Sequence, residues 1–145
     1  MKRRGIEDNR KAGRRRERGQ ALVEFALILP LLLLLVIGLV EFGRAWNAFQ
    51  VITDAAREGA RTAVVADASI TEDSVYSVIR SALARAALDA DSATIALVGV
   101  DAPTGQPARV EIQYPYRFTF LSPLMSWIGD RETITLHTVS VMRNE

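Results

Sequence analysis

The sequence predicts an α+β protein with a long N-terminal transmembrane helix that continues outward, followed by a second helix packed on a small antiparallel sheet. Three observations carry this. Ala21 to Val40 form a twenty-residue run whose only charge is Glu24. Apolar residues after that run recur at helical spacing. From Arg109 to Phe120, polar and apolar residues alternate strictly, as in a half-buried strand.

Composition limits the remainder. The chain has 145 residues, 49% hydrophobic and 24% charged, enough for one domain plus one special segment. It has no cysteine and a single histidine, which excludes disulfides, thiol nucleophiles, thiolate metal sites and His-pair constellations. The net charge of +1 conceals a division: residues 1–19 hold nine Lys/Arg against three acids, whereas the rest holds nine against fourteen.

At about 1.5 Å per residue, Ala21–Val40 covers roughly 30 Å, the thickness of a bilayer's hydrocarbon core. The basic block precedes it, while Glu41 to Ala60 supply only Arg44 and Arg57, so the positive-inside rule places the N-terminus in the cytoplasm and the C-terminal residues outside. A cleaved secretory signal is the nearest competitor. The apolar run is longer than such a signal needs, and Glu41-Phe42-Gly43-Arg44-Ala45-Trp46 offers no small-residue cleavage site after it. Residues 1–19 lack aromatics for base stacking, so no nucleic-acid partner is expected.

Beyond the span, Phe42, Trp46, Phe49, Ile52, Ala56, Ala60 and Ala63 predict that the helix continues to about Ala66 with one apolar face. Trp46 and Phe49 are placed to anchor at the interface. The opposite face pairs Asp54 with Arg57 and Glu58 with Arg61. Ala55, Gly59 and Ala63, with Ala56 and Ala60, form a small-residue ridge that lets another backbone approach. Its partner is either this protein's own domain or a neighbouring subunit, and the sequence does not choose. Pro30 removes one hydrogen bond within the span.

Ser69 and Glu72 suggest a capping box for a second helix, Glu72 to Leu88, with Val75, Val78, Ile79, Ala82, Leu83, Ala86 and Ala87 on its apolar face. Strands are expected at Thr94–Val100, across Val110–Phe120 and at Glu132–Met142, with a loop at Asp101–Pro107. Pro115 suggests an edge or a bulge. A change of apolar phase between Leu136 and Val139 suggests a second bulge near His137. Leu121–Gly129 reads as an irregular connection.

Little catalytic chemistry is available. There is no phosphate-binding glycine loop, no nucleotide fingerprint and no nucleophile elbow. His137 stands alone, and Asp89, Asp91 and Asp101 fit no calcium-loop spacing. No enzyme activity, cofactor or metal is expected.

An acid inside a membrane span must either reach the headgroups or find a partner, which draws attention to Glu24. Around it the chain reads Arg18-Gly19-Gln20-Ala21-Leu22-Val23-Glu24-Phe25, then an apolar helix. This resembles the class III signal of type IV pilins and pseudopilins. Farther on, Glu41-Phe42-Gly43-Arg44-Ala45-Trp46 and Ala55-Ala56-Arg57-Glu58-Gly59-Ala60-Arg61 resemble the TadE-like family of tight-adherence pilus systems, over Arg18 to Val65.

The resemblance implies a pilin-like fold and cleavage by a prepilin peptidase between Gly19 and Gln20, which removes the basic leader and keeps the helix. It implies as partners that peptidase, an assembly ATPase with its membrane platform, other pilins or pseudopilins, and further copies of the chain in the bacterial cytoplasmic membrane. Cleavage would create an amine on Gln20 about 6 Å along the helix from Glu24. In a staggered bundle, the Glu24 of one subunit can meet that amine on its neighbour and fix their register, with Phe25 beside it. The alternative is an unprocessed anchor displaying a small extracytoplasmic binding domain.

Overall fold

The computed structural model describes the backbone at residues 4–65, 70–100, 102–129 and 133–144, and side chains from Gly19 onward except at positions 124, 127 and 128. The elements run α1 (Arg4–Ala63), α2 (Glu72–Arg85), a short 3₁₀ turn (Ala90–Ser92), β1 (Thr94–Val98), β2 (Pro107–Arg117), α3 (Ser122–Ile128) and β3 (Thr133–Arg143). The expected α+β class is therefore the observed one. The chain divides into two compact units, Met1–Val40 and Glu41–Glu145.

The first unit is helical from Arg4, so the described part of the basic leader is helical too, and the helix passes through Pro30 without interruption. Between Leu22 and Val40 nearly every large apolar side chain is exposed. A surface this greasy on all sides is what a membrane helix presents to lipid.

In the second unit, β1-β2-β3 form one antiparallel sheet in that order. Its inner face contributes Ala108, Val110, Ile112, Tyr114 and Tyr116 to a core completed by Ile52 and the small residues of α1 and by Val75, Ile79 and Leu83 of α2. β2 is flanked on both sides only as far as Gln113, where β1 ends opposite it at Thr94. Pro115 lies past that point, paired with Thr135 alone, so its missing N–H falls on a locally open edge.

Several expectations need correction. The bulge near His137 is absent: Pro107–Arg117 pair with Arg143–Thr133 residue for residue. The apparent phase change arises because Thr138, Ser140 and Met142 keep to the inner face, while Val139 and Val141 are exposed outside. Leu121–Gly129 contains the short helix α3, with Pro123 in its first turn, where proline's missing donor costs nothing. β2 stops at Arg117, so Phe118 and Phe120 follow it as a turn. β1 stops at Val98.

α1 ends at Ala63 instead of Ala66, and Ser69 lies outside the described residues. The capping box of α2 is formed by Thr71 and Ser74. This helix ends at Arg85, before Leu88, because Ala87 turns left-handed at φ 56°. The Leu88 N–H then reaches the Leu83 carbonyl at 3.0 Å and the Ala87 N–H the Ala84 carbonyl at 3.0 Å, the Schellman pattern with alanine where glycine is usual.

Candidate functional site

Gly19, Gln20, Glu24 and Phe25 all lie on α1 and are exposed. The Gln20 amide nitrogen donates to the Glu24 carboxylate at 3.1 Å, one helical turn away. That joins two of the four residues. A Cβ added at Gly19 would meet nothing within 4 Å. Glycine costs a helix about 1 kcal/mol relative to alanine, and no contact among the described residues requires it there.

The small-residue ridge packs into the chain's own core. Ala55, Ala56 and Ala60 are buried. A Cβ on Gly59 would lie 2.7 Å from both Cγ1 and Cδ1 of Ile79, so the glycine lets α1 and α2 approach. Of the two expected ion pairs on the other face, Asp54–Arg57 forms at 3.4 Å. Glu58 pairs instead with Arg85 of α2 at 3.3 Å.

Sequence reading missed the central polar contact of the domain. Glu41 is fully buried and accepts hydrogen bonds from the Tyr116 hydroxyl at 2.9 Å, the Thr119 N–H at 3.1 Å and the Phe120 N–H at 2.8 Å. Arg44 lies 3.5 Å from the same carboxylate and 5.6 Å from the centre of the Phe120 ring. Burial alone would raise the Glu41 pKa; the two backbone donors, the tyrosine and the arginine together outweigh it and hold the carboxyl below its ordinary 4.5. The buried stripe of α1 therefore begins Glu41, Ala45, Ala48, Ile52. Phe42 and Trp46, expected on that stripe, are 65% and 55% exposed, with Trp46 placed between Phe42 and Phe49 in an aromatic run. Phe49 packs against the core.

On the outer sheet face, Glu111 accepts from Arg109 at 2.9 Å and lies 2.9 Å from His137 Nε2. With Gln113, these neighbours lower its carboxyl to about 2. Asp89 caps the 3₁₀ turn through Asp91 and Ser92, and Asp91 meets Arg80 at 3.4 Å. Asp101 lies outside the described residues. Among the described residues no cluster of His, Cys, Asp and Glu is arranged to hold a metal.

The stretch of α1 from Gly19 to Ala63 is long and apolar enough to cross a membrane, and a small α+β domain follows it in the chain. These features fit a membrane-anchored protein of pilin-like type. The family model described as TadE-like protein matches residues 19–61, in agreement with the resemblance read from the sequence. Neither a curated protein nor a solved structure matches the chain.

Proposed function

We propose that the protein is a TadE-like minor pilin or pseudopilin that a prepilin peptidase cleaves after Gly19 and that acts in assembly of a tight-adherence pilus. The observation that carries this reading is the family match beginning at Gly19, directly before Gln20, Glu24 and the apolar helix. The open surroundings of Gly19 support it, because a glycine without a packing role suits recognition by a protease. The Gln20–Glu24 contact supports it as well, since it keeps the carboxylate beside the residue whose amine would be freed.

In this reading the basic leader stays in the cytoplasm, the helix crosses the cytoplasmic membrane once, and the α+β domain lies outside. The chain is a peptidase's substrate and an assembly component without catalysis of its own. Its partners are the peptidase, the pilus assembly machinery, other pilins and further copies of itself.

The test is intact mass and N-terminal sequencing of the protein from membranes of cells with an active prepilin peptidase. The expected amino end is Gln20, and Gly19→Ile leaves the chain full length. Retention of Met1 in the wild type would overturn the processing step and favour an unprocessed anchor.

A further inference from the structure

Glu41 follows directly on Val40, the last residue of the apolar run. At about 1.5 Å per residue, Glu41 to Arg44 lie within about 6 Å of the end of that run. The Phe120 turn is far away in sequence, yet Glu41 accepts its N–H at 2.8 Å and Arg44 covers its ring at 5.6 Å. The ring is thus held beside Glu41 and Arg44, the residues that follow the apolar run directly in the chain. Phe120 is 56% exposed. Phe42 and Trp46, exposed at neighbouring levels, stack with centroids 6.4 Å apart.

Aromatic rings and an arginine at this height match the chemistry of a bilayer's interfacial layer. Amphipathic and aromatic side chains are enriched there, and a guanidinium can reach lipid phosphate. The opposite end of the sheet provides a contrast. Val98 pairs with Arg109, eight residues along β2 from Arg117, or roughly 26 Å at strand spacing.

We propose that Phe42, Trp46 and Phe120, with Arg44, form a collar seated in the phospholipid headgroup layer, and that the buried Glu41 clamp holds the domain's Phe120 turn down on the membrane surface. The collar rests on the helix spanning a bilayer. Its occupant is lipid because continuity of the chain places Glu41 to Arg44 beside headgroups whenever the span is inserted.

The chain has no cysteine, so single nitroxide labels can be introduced without first removing a native thiol. Thr119→Cys, Val98→Cys and Leu32→Cys would be made in the full chain and reconstituted in phosphatidylcholine vesicles containing phosphatidylglycerol. All three replace exposed side chains. Collision with oxygen, which concentrates in lipid, is compared with collision with a water-soluble nickel chelate. The expected oxygen-to-nickel ratio is highest at position 32, and at 119 at least about threefold that at 98.

Equal ratios at 119 and 98, with 32 deep in lipid, overturn the collar and leave the spanning reading intact. A water-like ratio at 32 overturns both. A label at 119 shielded from both colliders only at high protein density shows a second copy covering the patch, and also overturns the proposal.

Discussion

The Glu41 carboxylate receives the Tyr116 hydroxyl at 2.9 Å across seventy-five residues of sequence. Two backbone N–H groups from the following turn complete its shell, so one acid ties α1 to the end of β2. Hydrogen bonds to a buried charge are worth about 1.5–3 kcal/mol each, and removing such an acceptor strands its donors.

Glu41→Ala should therefore destabilise the domain by about 3–5 kcal/mol, and Glu41→Gln by about 2–3, because an amide cannot accept at both oxygen positions. Denaturant melts of the reconstituted protein would measure this. The clamp's contribution is complete above pH 4.5, the ordinary carboxyl value, and falls as pH drops through the lower folded value. The gap between wild type and Glu41→Gln should accordingly narrow below that pH. A gap independent of pH would contradict the clamp.

Gly59→Ala improves helix propensity by about 1 kcal/mol but drives a methyl against Ile79, and overpacking costs about 1–3. Because Ile79 is itself fully buried and cannot easily yield, net destabilisation of up to about 2 kcal/mol is expected. In an Ile79→Ala background the same change should become neutral or stabilising, a coupling that a double-mutant cycle would read directly.

Ala87→Gly should stabilise by about 0.5–1 kcal/mol, since it relieves a left-handed alanine at the end of α2. Thermal unfolding would show a raised midpoint. An unchanged or lowered midpoint would mean the strain at Ala87 is relaxed in solution.

Glu111 should titrate near 2 in a carbon-detected NMR titration. Arg109→Gln should move that titration upward toward the ordinary 4.5, because it removes the strongest of the three neighbours. The network's stabilisation is present above 4.5 and lost as pH falls toward 2.

Glu24→Val should leave membrane insertion intact or improve it, since it removes a charge from the apolar run. If Glu24 sets register through a neighbour's amine, recovery of protein in the assembled fraction should fall about tenfold or more. Wild-type assembly by this variant would end the register reading.

The elements with a strong period were legible in the sequence. The twenty-residue apolar run marks a helix whose apolar side chains are exposed all round, whereas the Val75–Ile79–Leu83 face and the Val110–Tyr116 alternation report burial through side-chain chemistry. The errors fall where chemistry and burial part. Glu41 occupies a core position while reading as a surface charge, so the aromatic residues beside it were placed on the buried stripe. In β3, Thr138 turns inward while Val139 turns out, which imitates a bulge. A four-residue spacing from Glu41 through Ala45 to Phe49, one row over from Phe42 and Trp46, was the available sign of the clamp. A lone glutamate gives no indication that donors from a distant turn will satisfy it.

Along α1 the buried positions Ala48, Ala55, Ala56, Gly59, Ala60 and Ala63 are already close to the smallest side chains a helix can hold. Every substitution there other than alanine to glycine enlarges them, whereas Val75, Ile79 and Leu83 across the interface have room to shrink. Mutational drift would consequently be one-sided on each helix and opposite between them. A lineage that widened the first helix would survive by trimming the second, leaving a paired trace of big-for-small and small-for-big exchanges.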